Sequence, residues 1–298
     1  MLTCEVGNTP LVKLDNIYGD EFGKVYVKLE EFNPGGSIKT RVAFQMIEDA
    51  EIAGKLKKGD VLIEPTGGNT GLGLAIAAAI KGYELILTIP DSFSKEKINT
   101  LKEYGANVYL SDHSTGNDSH IVLSRKMMEE NPSLVCLDQF SNFSNPKAHY
   151  LGTGREIYNQ LQGNVDIFMA SIGSGGTIMG CGKLLKELNS NTKIVGVQPE
   201  GCDILNEIFI PHKIQATAVG VISKFFEKEL IDSMVSVTYE EAMIVKDYLA
   251  SKQGIFVGVS SCANIAAAFK LSKNFDKNTI IATVAPDSGR SYLEYYRQ

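Results

Sequence analysis

The stretch EPTGGNTGLGLA, Glu64–Ala75, decides how this chain folds. It continues the short apolar run DVLIEP (Asp60–Pro65) and opens GLGLAIAAAIKG (Gly71–Gly82). The first run reads as a buried strand and the second as a small-residue helix. Between them lies a turn of Thr66, Gly67, Gly68, Asn69 and Thr70. Small residues let a ligand approach the backbone, and a helix N-terminus presents unbonded N–H groups. Thr66, Asn69 and Thr70 add side-chain hydrogen bonds. The turn reads either as an anion site or as a tight, capped connection.

The same order recurs downstream. VDIFMASI (Val165–Ile172) reads as a strand, followed by Gly173, Ser174, Gly175, Gly176 and Thr177 and then a helix. Successive glycine N–H groups form a nest for a phosphate. The run matches neither G-x-G-x-x-G nor the Gly-Lys-Ser/Thr ending of a Walker loop, so a phosphorylated cofactor fits it better than a nucleotide. A third turn, GIFVGVSSCANIAAA from Gly254, offers Ser260 or Ser261 as an N-cap. Cys262 there reads as a small buried apolar residue. Further strands are expected at KVYVKLE (Lys24–Glu30), ELILTIP (Glu84–Pro90), NVYLSD (Asn107–Asp112), KIVGVQPE (Lys193–Glu200) and TIIATVAPD (Thr279–Asp287). Helices are expected at KEKINTLKEYG (Lys95–Gly105), GKLLKEL (Gly182–Leu188) and EEAMIVKDYLASKQG (Glu240–Gly254). Continuous apolar strands alternating with helices predict parallel sheets covered on both faces. Two α/β units are expected, with a boundary near FSNFSNPKAHY (Phe140–Tyr150).

Composition narrows the function. With 298 residues, 44% hydrophobic and 21% charged, the chain is globular. A net charge of −6 does not suggest a nucleic-acid partner. No apolar run has the length of a membrane span, and the N-terminus MLTCEVGNTP lacks the pattern of a signal peptide. Five widely spaced cysteines (Cys4, Cys136, Cys181, Cys202 and Cys262) predict a reduced, cytoplasmic protein without a disulfide framework or structural zinc. His113, His120, His149 and His212 show no metal-ligand spacing, and no metal is expected.

Lys39, in NPGGSIKTRVAFQMI (Asn33–Ile47), sits on the first turn of an apolar helical pattern, the end where a cation is disfavoured. It is either an ordinary surface lysine or an amine held neutral enough to act as a nucleophile. An amine nucleophile, a phosphate nest and a second anion site together suit a phosphate-bearing aldehyde bound as a Schiff base, and pyridoxal 5'-phosphate (PLP) is that molecule.

At these residues the chain resembles a family, the cysteine synthase (O-acetylserine sulfhydrylase) and cystathionine β-synthase group of fold-type II PLP enzymes. The motifs are VGNTPLVKL (from Val6), NPGGSIKTR, EPTGGNTGLGLA, QFSNFSNPKAHY (from Gln139), SIGSGGTIMG, VGVQPEG (from Val195), PHKIQ (from Pro211), GVSSCAN (from Gly258) and PDSGRSYL (from Pro286). They stand in family order nearly end to end. The resemblance implies a tryptophan synthase β-like α/β fold, with two domains, mainly parallel central sheets and PLP in the cleft between them. Residues 33–147 would form a smaller N-terminal domain carrying the substrate-carboxylate loop. Residues 1–32 and 148–298 would form a larger one carrying the phosphate loop.

By the same resemblance Lys39 is the Schiff-base lysine and moves the proton at Cα. Asn69 contacts the cofactor's ring hydroxyl, and Gly173, Ser174, Gly175, Gly176 and Thr177 cradle the phosphate. Ser260 faces the pyridine nitrogen. Thr66, Gly67, Gly68, Asn69, Thr70 and Gln139 bind the substrate carboxylate. A serine does not hold the ring nitrogen protonated as a carboxylate would, which favours loss of a β-leaving group over transamination. The implied chemistry is β-elimination or β-replacement on L-cysteine or O-acetyl-L-serine through an aminoacrylate. It runs either as a sulfide-releasing, serine-forming cysteine β-lyase or as a cysteine synthase. The alternatives are a minimal cystathionine β-synthase, without haem segment or regulatory module, and a silent PLP-binding protein. The expected partners are an amino acid with sulfide or a thiol, and a second copy of the chain in a homodimer. The departures surround the substrate. Gly67 stands where the family has serine, Cys262 interrupts the usual Ser-Ser-Gly-Ala run, and GVISKFFEKELID (Gly220–Asp232) replaces a Gly-Phe-Ile-Pro loop. Asp232 reads as a surface or cap residue, or as a carboxylate that orients water if it faces the cleft.

Overall fold

The computed structural model describes residues 5–296, so Cys4 lies outside the described residues. The chain forms two compact units, one of Met1–Ile38 with Asn145–Gln298 and one of Lys39–Ser144. Both are α/β.

The Lys39–Ser144 unit is built on a four-stranded, wholly parallel sheet in the order β5-β4-β3-β6. Its strands are β3 (Val61–Glu64), β4 (Glu84–Pro90), β5 (Asn107–Ser111) and β6 (Val135–Cys136). The helices α1 (Lys39–Ile52), α2 (Asn69–Lys81), α3 (Lys95–Glu103) and α4 (Ser119–Glu130) alternate with them. Leu62, Ile63, Leu85, Leu87 and Ile89 are buried in this sheet, as central parallel strands require. Helix α2 ends at Gly82, whose φ of 79° is the left-handed C-cap geometry that glycine adopts without strain. Helix α3 starts at an N-cap serine, Ser94, whose side chain accepts from Lys97 N.

The other unit carries a six-stranded sheet in the order β1-β2-β10-β7-β8-β9. These strands are β1 (Leu11–Lys13), β2 (Lys24–Leu29), β7 (Ile167–Ser171), β8 (Lys193–Pro199), β9 (Ser233–Val237) and β10 (Ile280–Ala285). Only β1 runs antiparallel to its neighbour. The helices are α5 (Ser144–Ala148), α6 (Gly154–Gln160), α7 (Gly176–Leu188), α8 (Tyr239–Tyr248), α9 (Val259–Ser272) and α10 (Leu293–Tyr296). Successive strand residues enter opposite cores. Ile167 and Met169 pack with the α8 and α9 side chains, while Phe168 and Ala170 pack with those of α6 and α7. Helix α8 opens with a full capping box, Thr238 with Glu241.

Candidate active site

Lys39 is the first residue of α1 and is half-buried. Helix α2 comes against it at Gly73, where an added Cβ would lie 2.9 Å from the Lys39 carbonyl. Only glycine allows that approach, so the loop that opens α2 is fixed relative to Lys39. The loop itself is tightly built. A Cβ on Gly71 would meet the Thr66 carbonyl at 2.6 Å, and one on Gly67 would meet Ile89 Cγ2 at 2.6 Å and Phe93 Cε1 at 2.9 Å. The N-cap of α2 is Gly68, which has no side chain to cap the first turn. Thr70 Oγ1 donates to Gln139 Oε1 at 2.8 Å. Lys39, the Thr66–Thr70 loop and Gln139 therefore belong to one framework within one unit.

The second set lies in the other unit. β7 ends at Ser171, and the chain turns through Gly173, Ser174 and Gly175 into α7. Gly175, with φ at 81°, is an N-cap without a side-chain cap. A Cβ on Gly173 would sit 2.3 Å from the Ala216 carbonyl, and one on Gly176 would sit 1.9 Å from Asn145 Oδ1. Side chains brace the turn from behind. Asn145 Nδ2 donates to Ser174 Oγ at 3.1 Å, and Ser223 Oγ donates to the Ser174 carbonyl at 2.5 Å. Thr177 Oγ1 is 3.5 Å from His149 Nε2. Asn264 accepts from Ser171 N at 2.7 Å and donates to the Val284 carbonyl at 2.8 Å, tying β7 to β10. Ser260 is buried in the first turn of α9, whose N-cap is Gly258.

This glycine turn fits the phosphate of PLP. The turn opens a thirteen-residue helix whose N-cap offers no side-chain cap, no side chain can enter at Gly173 or Gly176, and the helix N-terminus would stabilise a doubly charged anion. Sequence reading gave no role to Asn145, His149, Ser223 or Asn264. The first two lie in QFSNFSNPKAHY and Asn264 in GVSSCAN, but they act by bracing neighbouring side chains and backbone across the fold, which spacing alone does not show.

Asp232 is placed elsewhere. Its Oδ2 accepts from Ile194 N at 2.7 Å and pairs with Lys186 at 2.8 Å. Ile194 lies three residues before Val197, the register partner of Ser171, which is about 10 Å down the sheet at the usual strand rise. These contacts tie Asp232 to β8 and α7, and none of them points to the water-orienting role weighed from the sequence. Burial pushes its carboxyl up, but the Ile194 N–H and Lys186 outweigh that and hold it below the usual value. Cys262 is fully buried with its thiol on the Val257 carbonyl, and burial raises its pKa far above that of a reactive thiol. The four described cysteines are free thiols. His113, which has no ligand spacing in the sequence, meets Asp91 and Asp112 in the fold, all three exposed.

The chain matches the family described as pyridoxal-phosphate dependent enzyme over residues 2–287. It is 42% identical over 294 residues to a cysteine synthase of Staphylococcus aureus, covering 98% of this chain and 94% of that protein. It is 39% identical to a cystathionine beta-synthase of Apis mellifera, covering 97% of this chain and 59% of that longer protein. Among solved structures it resembles a hydrogen sulfide-producing enzyme from Fusobacterium nucleatum, with a TM-score of 0.91, 39% identity, and 97% and 96% of the two chains covered.

Proposed function

Since the chain belongs to the pyridoxal-phosphate dependent enzyme family, we propose that it breaks and makes bonds at Cβ of L-cysteine or O-acetyl-L-serine, with Lys39 as the amine that joins the cofactor and moves the proton at Cα. The single observation that carries this reading is the framework of Lys39, the uncapped Thr66–Thr70 loop and Gln139, closed up by Gly73 and the Thr70–Gln139 bond. PLP, when bound, supplies the electron sink that makes a Cα proton removable.

The chain's own residues do the rest. Gly173, Ser174, Gly175, Gly176 and Thr177 offer backbone N–H and hydroxyl groups to the phosphate. Asn69 serves the ring hydroxyl and Ser260 the ring nitrogen. Thr66, Gly67, Gly68, Thr70 and Gln139 hold the α-carboxylate, which fixes the Cα–H bond towards the Lys39 amine. Asp232 takes no part.

Two directions share this machinery, cysteine formation from O-acetylserine and sulfide, and sulfide release from cysteine with water or a thiol as replacement. The similarity to a cysteine synthase and to a hydrogen sulfide-producing enzyme supports both. One assay separates them. Purified protein is followed by visible absorbance and sulfide detection, with L-cysteine and separately with O-acetylserine. A long-wavelength cofactor band is expected, and Lys39→Ala is expected to abolish it. Sulfide from cysteine alone, with serine or pyruvate, assigns the lyase. A new band with O-acetylserine, discharged only by added sulfide, assigns the synthase. No turnover with any β-substituted alanine would leave a silent PLP-binding protein. We also propose a homodimer, tested by light scattering, and a reducing compartment, which the free thiols support.

A further inference from the structure

Glu64 has no part in the chemistry above, yet it is a buried carboxyl group at the base of the substrate loop, where burial raises its pKa against the N–H groups that lower it. It ends β3, the strand lying between β4 and β6, and is 4% exposed. β6 pairs with β3 only as far as Cys136, opposite Ile63. Beyond that point the ladder is replaced by one carboxylate. Glu64 Oε2 accepts from Cys136 Sγ at 3.5 Å and from the N–H groups of Leu137 and Asp138 at 3.2 Å each, and Oε1 accepts from Gln139 N at 3.4 Å. The chain can turn there because Asp138 takes a left-handed conformation, φ 48°. The Glu64 carbonyl meanwhile accepts from Thr66 N at 3.0 Å. One residue thus holds both walls of the loop, Thr66 through its backbone and Gln139 through its side chain.

We propose that Glu64 is a positioning residue that sets Gln139 and the Thr66–Thr70 loop for the α-carboxylate of the amino-acid substrate. The inference rests on the reading of that loop as the carboxylate site. A carboxylate suits the task because all four of its partners are donors, whereas an amide would turn an NH2 group towards N–H groups. Two or three such bonds to a charged acceptor fix a backbone segment more firmly than neutral ones. Gln139 then presents its amide with the Thr70 hydroxyl already bonded to it, so the site is set before substrate arrives.

The test compares the holoenzyme with Glu64→Gln and Glu64→Asp. For Glu64→Gln the KM for the amino acid is expected to rise about tenfold or more, with kcat within about threefold and the cofactor band unchanged, the pattern of lost binding common to ground and transition states. Glu64→Asp, which keeps the carboxyl group, is expected to recover part of the loss. Hydrogen exchange of the Leu137, Asp138 and Gln139 amides, read by mass spectrometry on the same samples, should quicken in Glu64→Gln and less so in Glu64→Asp. An unchanged KM in a folded Glu64→Gln variant would overturn the inference while leaving the proposed function intact. Should Glu64→Gln not fold, Glu64→Asp decides alone, and unchanged KM and exchange there would overturn it. Wild-type protein without turnover would overturn the proposed function and this substrate role together, whatever the exchange data show.

Discussion

Two glycines show how a single atom is decisive. Gly173 faces the Ala216 carbonyl, a backbone oxygen that cannot swing away, at 2.3 Å from where a Cβ would be. Gly173→Ala is therefore expected to shift the phosphate turn and weaken PLP binding at least tenfold, read by titrating cofactor into apoprotein and following absorbance, while the far-UV circular dichroism is retained. Gly67 is the opposite case, since its neighbours are side chains. Gly67→Ser would restore the family's hydroxyl but drive Cβ into Ile89 and Phe93, an overpacking that costs about 1–3 kcal/mol. The expected result is a lower unfolding midpoint and a raised KM, with Gly67→Ser/Phe93→Leu recovering much of the stability. The departure from serine was legible in the sequence. That Ile89 and Phe93 occupy the vacated space was not, because they come from the next strand and its following turn.

Elements are tied together by charges that no periodicity reveals. Lys28, the penultimate residue of β2, is fully buried. Its ammonium donates to the Thr9 carbonyl at 2.5 Å and Gln160 Oε1 at 2.8 Å, and pairs with Glu156 Oε2 at 2.8 Å, joining β2 to α6. In KVYVKLE it passes as one of the polar positions of a strand. Glu156→Ala removes a counter-charge from a buried ammonium and is expected to lose up to about 3–5 kcal/mol, seen as an earlier denaturant midpoint. Asp232 joins β9, β8 and α7 through Ile194 N and Lys186. Its pKa is lowered below the ordinary 3.8, so the native state binds fewer protons than the unfolded one there. The stability it adds is complete above that ordinary value and is lost as pH falls through the lower folded value. Asp232→Asn should thus be less stable than wild type at pH 7, by about 1 kcal/mol or less for a partly exposed pair, and the gap should close as pH falls through the lowered carboxylate pKa. Its kcat should equal that of wild type, and a large loss would return Asp232 to the chemistry.

The whole molecule is a matter of which contacts are local. The strand–turn–helix order around Thr66 and Gly173 made a parallel α/β fold legible, since apolar strands of that length must be covered on both faces. The two-residue β6 and the short edge strand β1 were not legible, because pairing rather than sequence pattern defines them. Nor was the position of β10, the last strand in the chain, which sits inside its sheet between β2 and β7. That position has a kinetic consequence. The Lys39–Ser144 unit is one continuous segment, and its strands β3, β4 and β5 pair in chain order. The other unit cannot close its sheet until β10 has joined the N-terminal β2 to β7. Such non-local pairing delays folding, because loop-closure entropy is lost before the contacts form. Pulse-labelled hydrogen exchange during refolding should show the amides of β3 and β4 protected before those of β2, β7 and β10. A chain truncated after Thr279 should keep the first protection and lose the second. Simultaneous protection of both sheets, or loss of both on truncation, would mean that the continuous segment does not fold ahead of the rest.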